Sequence, residues 1–447
     1  MNKICLYCLF FLTATLFLQS CQEDDEPTVT TAETADYSSE VVLDWVELTL
    51  KLTEETDGYT PPVAARVYGY SGLALYESVR HGMPGYRSLE GQLSSFNTGV
   101  VPDISEGAEY HWGAVANSTL KVFLSSCFKI TSAENLALID ALEAYYTTQF
   151  RNEASDEVID RSIAYGESVG VALLTFANSD GQEECYNNNF PSSYTVPVGS
   201  GLWEPTSADT PIPLQPYWGS VRPFMQINVD ETQPVPPPPF STNPNSVFYL
   251  EALEAYDAVI NLTPEQKVIA EFWSDDPGNT ATPPGHSYSI MMQILASEKA
   301  NLARAAEVYA KLGMGVHDAF VSCWKTKYET NLIRPITYIH EYIDDSWTIP
   351  LPTPPFPEYT SGHSVQSGAT AQILTDLFGE NYAFVDRTHI TRTDIDGSAR
   401  SFSSFYEFAD EAAISRLYGG IHYRAAIELG VEQGIEIGKN IGTLQFR

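Results

Sequence analysis

The run PPVAARVYGYSGLALYESVRH, residues 61–81, constrains the fold more than any other stretch. Two prolines open it, a usual place for proline in a helix. Apolar residues then recur three and four positions apart, and Arg66, Glu77 and Arg80 are the only Asp, Glu, Lys or Arg within it. A helix this apolar over so wide a face needs other helices around it. The same period returns at 107–124, 132–149, 151–176, 245–258, 263–273, 287–311, 312–327, 362–378 and 412–437. Strand-like alternation is scarce. The spacing predicts a mainly α protein, with two groups of helices separated by residues 178–243. That segment holds CYNNNFPSS, VPVGSGLWEPT and ETQPVPPPPFSTNPN and reads as a long loop fixed by proline and turn residues. A loop of that length inside one domain is usually functional or a lid. Paired helical bundles in a single unit, 41–447, are the architecture expected.

The N-terminus has a different character. Residues 1–20, with one lysine and a short apolar run, read as an export signal, too short for a membrane span. Leu18-Gln19-Ser20-Cys21 resembles a bacterial lipoprotein processing box, in which the cysteine carries the lipid. The acidic, threonine-rich segment that follows reads as a tether over 21–40 and resembles the start of surface lipoproteins in the Bacteroidota. The expectation is an exported chain held at the outer membrane, or the cell surface, by the lipid on Cys21. Cys127, Cys185 and Cys323 allow at most one disulfide, have no zinc-site spacing and read as small buried hydrophobes.

The formal net charge is −34, from 58 acids against 24 bases. Such a surface repels nucleic acid and anionic lipid, so neither is expected as a partner. A homo-oligomer is left open. An anion site on this chain must assemble its own bases, and bases are scarce. Their grouping is therefore informative. Lys327 stands in KYETNLIRP with Arg334. Arg416 stands in SRLYGGIHYR with His422. Between them runs LPTPPFPEYTSGHS, a proline-stiffened arm that delivers Ser361, Gly362 and His363 to the start of a predicted helix. Free N–H groups at a helix start face anions, and Gly362 lets the backbone approach closely. Two guanidinium forks, an ammonium, a hydroxyl, an N–H and two imidazoles suit a tetrahedral or trigonal bipyramidal oxyanion.

The three segments together resemble the signature of the vanadium-dependent haloperoxidase and type 2 phosphatidic acid phosphatase superfamily. The resemblance is to a lysine six residues short of Arg-Pro, then Pro-Ser-Gly-His, then Ser-Arg with five residues to histidine. Nine of its ten fixed residues are present, the exception being Thr360 in place of proline. ARVYGYSGLALYESV and FWSDDPGNTATPPGHS extend a weaker likeness over most of the chain. The resemblance implies paired four-helix bundles with long ordered loops, and active-site motifs within 324–422. It implies vanadate, and no haem, as the cofactor. His422 would be the axial vanadium ligand, and Lys327, Arg334 and Arg416 the clamp on the equatorial oxygens. Ser361 and the Gly362 N–H would be further donors, and His363 the acid–base residue. Trp324 and Phe356 resemble the halide-side aromatics of vanadium chloroperoxidases and bacterial iodoperoxidases. His286, in TPPGHS, is a further candidate for the pocket.

Two departures bear on the chemistry. Many members carry an aspartate four residues after the second histidine, and Ala426 stands there. The partner that orients His422 is then unassigned: Glu428 is near in sequence, and a backbone carbonyl could serve instead. One of Asp275, Asp276 and Asp318 is expected to pair with an arginine of the clamp. His81, His111, His317, His340 and His389 read as core or surface residues. With vanadate bound, the resemblance implies oxidation of halide by hydrogen peroxide to hypohalous acid, iodide being the easiest halide and bromide the next. The alternative is an acid phosphatase acting on phosphomonoesters, in which His422 attacks phosphorus and His363 protonates the leaving group. A lipoprotein that only captures phosphate-like anions is a third reading, which leaves His363 without a role.

Overall fold

Helix starts in this chain are written in its prolines and short polar side chains. The computed structural model describes residues 32–207 and 211–447. The expected signal, the expected lipid site at Cys21 and most of the expected tether lie outside these residues. The helices are α1 (Glu40–Glu55), α2 (Pro61–Val79), α3 (Trp112–Cys127), α4 (Ala133–Phe150), α5 (Asp156–Asn178), the short α6 (Ile227–Asp230) and α7 (Val247–Ile260). Then follow α8 (Pro264–Phe272), α9 (Thr282–Ser297), α10 (Leu302–Thr330), α11 (Pro335–Tyr342), α12 (Gly362–Phe378), α13 (Phe405–Tyr418) and α14 (Arg424–Gly442). Prolines occupy the first turn of α2, α8, α9 and α11. Side chains of Ser132, Ser155, Ser246, Thr263, Asn301, Ser361 and Ser404 cap the helices that follow them. One antiparallel hairpin, β1 (Phe384–Asp386) with β2 (Arg400–Phe402), is the sheet among the described residues.

The predicted α class holds, and several boundaries move for identifiable reasons. The break expected between 311 and 312 falls instead at 298–301, where Lys299 takes φ +51°. Gly313 and Gly315 continue α10 because they serve packing. A methyl at Gly313 would sit 2.8 Å from the Tyr68 carbonyl oxygen, so glycine lets α2 and α10 touch. The single helix expected over 412–437 is α13 and α14, separated at Gly419-Gly420, with Gly420 at φ +71°. Helix α1 and the short α11 were not anticipated. The last part of the segment expected as a tether is packed against the helices: the Thr34 hydroxyl donates to the Val79 carbonyl, and Leu302 N donates to the Tyr37 carbonyl.

The helices form two large apolar assemblies, beside a small third cluster of Ala270, Leu351 and Ile421. One is built on α2, α3, α5 and α10, with α12 packed on α10. The other gathers Phe248, Ala252, Ile339, Trp347, Tyr359, Leu417 and Ala426 around α7, α11, α13 and the start of α14. Helices α12 and α14 lie so close that a methyl at Gly434 would sit 2.0 Å from the Val365 carbonyl oxygen. The long segment 178–243 is tied to this junction. Leu202 bridges to Leu332, Leu214 N donates to the Pro355 carbonyl, and Trp203 N donates to the Asn331 carbonyl. No described helix is long and apolar enough to cross a membrane.

Candidate active site

Helix ends converge where the two apolar assemblies meet. Lys327 lies in the last turn of α10 and Arg334 caps α11. Arg416 lies in the last turn of α13, and His422 in the turn before α14. The proline arm crosses between them and ends at Ser361, whose hydroxyl oxygen accepts from Ser364 N at 3.3 Å and starts α12. Gly362 and His363 are therefore the first residues of a 17-residue helix, and its unpaired N–H groups face the same space.

The clamp residues are buried. The Lys327 ammonium donates to the carbonyls of Pro357 (3.0 Å) and Glu358 (2.9 Å) and sits 5.0 Å over the Phe356 ring. Arg334 donates through Nε to the Phe356 carbonyl (2.9 Å) and through Nη1 to the Ile421 carbonyl (2.7 Å). Its Nη1 is also 3.3 Å from His422 Nε2, and its Nη2 is buried with no partner. Arg416 donates to the Ser415 hydroxyl (2.9 Å) and the Ala270 carbonyl (3.1 Å). Among the described residues none of the three makes an ion pair within 4.0 Å. Burial pushes the Lys327 ammonium down to about 7, and Arg334 and Arg416 each down to about 10. Three buried cations without carboxylate partners are costly unless an anion joins them.

The carboxylate that orients His422 is Glu358. Its Oε1 lies 2.8 Å from His422 Nδ1 and accepts from Tyr423 N at 2.9 Å. Ala426 is buried in the second apolar assembly, and its carbonyl accepts from Ser361 N. Glu428 turns away to pair with Arg424. Glu358 thus supplies from the proline arm what the missing aspartate would supply from α14. The sequence carries a signal for it: it is the only Asp, Glu, Lys or Arg between Asp345 and Asp376. Burial pushes its carboxyl up to about 8, against Arg334 and Lys327. Burial, then Arg334, Lys327, Arg416 and His363, hold His422 well below the usual range, so its ring is neutral, with Nδ1 toward Glu358 and Nε2 toward Arg334 Nη1.

His363, Gly362, Arg416 and His422 lie on the wall of a cavity of about 490 Å³ that is otherwise mostly apolar. Trp324 and Phe356 also line it, with ring centroids 5.0 Å apart. Phe190, Ser207 and Leu214 bring the long segment 178–243 into the same wall. Burial and Arg416 hold His363 below its usual range, and its Nε2 is buried without a partner.

Other expected residues fall elsewhere. His286 is buried behind this wall and is absent from the cavity lining; its two nitrogens face Asp275 and Asp386. Asp318 accepts from Phe224 N, Met225 N and Asn228 and makes no arginine pair. Asp275 and Asp276 border the cavity and act on Arg416 through space, without a direct pair. His111 caps α3, His317 is buried and His340 meets the Trp347 carbonyl. His389 is buried against Asp275, nearer the site than its sequence suggested. Asp275, His286 and His389 place three possible metal-ligand atoms within 4.8 Å of one another. Their N···O separations of 3.0–3.2 Å are those of hydrogen bonds. Cys127, Cys185 and Cys323 are unpaired.

The donor set fits a tetraoxo anion: a neutral imidazole, three unpaired buried cations, an orphaned guanidinium nitrogen and a helix N-terminus. Similarity to known proteins points the same way. Residues 307–445 match a family model described as the VCPO second helical-bundle domain. The chain is 22% identical over 497 residues to the vanadium chloroperoxidase of Curvularia inaequalis, covering 88% of this chain and 80% of the relative. A holo-type bacterial vanadium-dependent chloroperoxidase shares the fold at TM-score 0.67 and 14% identity, over 86% of this chain and 92% of that one. A crystal structure described as the first bacterial vanadium-dependent iodoperoxidase superposes at TM-score 0.82 and is 34% identical, over 91% of this chain and 97% of that one. With this fold and this cluster of buried cations, the chain belongs to the vanadium-dependent haloperoxidase superfamily.

Proposed function

We infer that iodide is the halide this enzyme oxidises, with hydrogen peroxide as oxidant and vanadate as cofactor. The family supplies the vanadate-dependent haloperoxidase activity, and the choice of iodide rests on two supports. One is the 34% identity to the bacterial iodoperoxidase over nearly its whole length. The other is chemical, since iodide is the easiest of the halides to oxidise. The observation that carries the cofactor assignment is the set of three buried cations, none with an ion pair within 4.0 Å among the described residues, around a neutral His422.

In this reading His422 is the vanadium ligand through Nε2, with Glu358 holding Nδ1–H and so fixing the tautomer. Lys327, Arg334 and Arg416 hold the anion's oxygens, together with the Ser361 hydroxyl and the Gly362 N–H. Vanadate held there would supply Lewis-acid activation of peroxide. The clamp draws electron density from the oxygens it holds. His363, on the cavity wall, accepts and returns the proton of the incoming peroxide. Trp324 and Phe356 exclude water from the halide's approach, where desolvation strengthens every charge interaction.

A phosphatase reading keeps one support. The lack of an aspartate at 426 would have weakened a nucleophilic histidine, and Glu358 removes that objection. The mainly apolar cavity wall favours the peroxidase. The test is one apoprotein preparation incubated with orthovanadate and assayed for iodide plus peroxide beside a generic phosphomonoester. Vanadate is expected to switch on the first reaction and inhibit any of the second. Phosphatase turnover with no vanadate-dependent iodide oxidation would reverse the assignment.

The lipid on Cys21 and an outer-membrane location are proposed from the N-terminal sequence alone. Detergent partitioning of the native chain against a Cys21→Ser chain tests both. Sedimentation of the mature protein tests self-association.

A further inference from the structure

His286 occupies an unusual position for a residue outside the cavity. It lies in the first turns of α9 and is 2% exposed. Its Nδ1 is 3.0 Å from Asp275 Oδ2, and its Nε2 is 2.7 Å from Asp386 Oδ2. Thr388 holds the other Asp386 oxygen through its N–H (2.9 Å) and hydroxyl (2.6 Å). The Trp273 indole stacks on the imidazole at 4.4 Å with 17° between planes. One side chain therefore grips both ends of the tripeptide 273–275. Asp275 needs such a grip, since it takes φ +49°, a conformation that persists only where its surroundings enforce it. Ser274 and Asp275 are cavity wall. The Trp273 backbone hydrogen-bonds to the His363 ring and favours its protonated form; Asp275 acts through space in the same direction and the His286 charge in the opposite one, and Asp275 also favours the charged Arg416.

We propose that His286 is a positioning residue: held between Asp275 and Asp386 and stacked on Trp273, it fixes the wall segment 273–275 that sets the orientation of the His363 ring. Burial alone would push the His286 ring down, but the two carboxylates raise it to about 10, so it acts as a cation bridging two buried acids. This inference rests on the peroxidase reading for His363's task, and on geometry alone for the positioning itself.

The test compares the native chain with His286→Phe, which keeps a ring against Trp273 and loses both hydrogen bonds, and with the milder Asp386→Asn. Three quantities are read: vanadate affinity, kcat for iodide at saturating vanadate, and the His363 ring nitrogens by NMR in the vanadate-free protein. Vanadate affinity is expected to stay within about threefold. The kcat is expected to fall about 10- to 100-fold in His286→Phe, the usual range for groups that act through another residue, and less in Asp386→Asn. The His363 ring is expected to pass from one tautomer to a mixture. If His286→Phe does not fold, Asp386→Asn decides alone. A single His363 tautomer with native kcat in a folded variant would overturn the proposal. So would a stoichiometric divalent metal in the purified protein, removable by chelator, which would make Asp275, His286 and His389 a metal site. Absence of vanadate-dependent iodide oxidation in the native chain would defeat the functional reading only; the NMR arm would still decide the positioning.

Discussion

Removing the carboxylate of Glu358 separates ligand orientation from ligand identity. In the native chain one oxygen accepts two buried donors, His422 Nδ1–H at 2.8 Å and Tyr423 N–H at 2.9 Å. Glu358→Ala strands both. A buried unsatisfied donor costs about 1–3 kcal/mol, so the two cost about 2–6 kcal/mol before relaxation. Loss of a carboxyl that burial already disfavours offsets part of that. Groups that hold the far nitrogen of a metal-binding histidine change affinity by about 10- to 100-fold. That range corresponds to about 1.4–2.7 kcal/mol. Glu358→Gln keeps an acceptor oxygen and is expected to lose less than about tenfold. Equilibrium dialysis against orthovanadate, with vanadium counted by mass spectrometry, gives the affinity. A thermal melt gives the stability. A folded Glu358→Ala protein that holds vanadate within threefold of the native chain would refute the assignment of Glu358 as the orienting group.

Three further outcomes follow from the same geometry. His363→Ala is expected to retain vanadate and lose about 10²–10⁴-fold in kcat, the range for an acid–base group; unchanged kcat would remove it from proton transfer. The Lys327 ammonium ordinarily titrates at 10.5 and here at about 7. Between those values the unfolded chain holds more protons than the folded one, so the vanadate-free protein gains stability as pH rises from 7 toward 10.5. A bound anion restores the charge, so vanadate affinity is expected to fall above pH 7, by up to about tenfold per unit from this group. Lys327→Arg, which stays charged, should flatten that slope, and an unchanged slope would put the titration elsewhere. Gly434→Ala is expected to destabilise by at least about 1–3 kcal/mol, read as a lowered melting temperature, because its methyl meets the Val365 carbonyl at 2.0 Å.

The helical class and the anion cluster were legible because their signals are local. Apolar periodicity marks α2 or α5 without reference to the rest of the chain, and each of the three motifs sits within ten residues. What the sequence did not show depends on contacts between distant segments. Gly313 looks like a helix breaker until α2 is seen pressed against it. Helix α1 is the exception: EVVLDWVELTLKL carries a local apolar period, but it follows directly on the acidic, threonine-rich segment read as a tether, and its Trp45 and Leu52 are wholly buried. Glu358 and His422 are 64 positions apart, and no spacing rule connects them. A lone acid in a proline arm was the available hint. His389 read as ordinary because its partner Asp275 lies 114 positions away.

Everything in the active-site account requires that the cations from α10, α11 and α13 and the His422 ring enclose one small oxyanion. Diffraction from crystals soaked in orthovanadate, collected at the vanadium absorption edge, examines that directly. A single anomalous peak is expected at bonding distance from His422 Nε2, with the anion's oxygens within hydrogen-bond reach of Lys327, Arg334, Arg416 and the Gly362 N–H. A peak at another place, or one beyond bonding distance of His422, would contradict it.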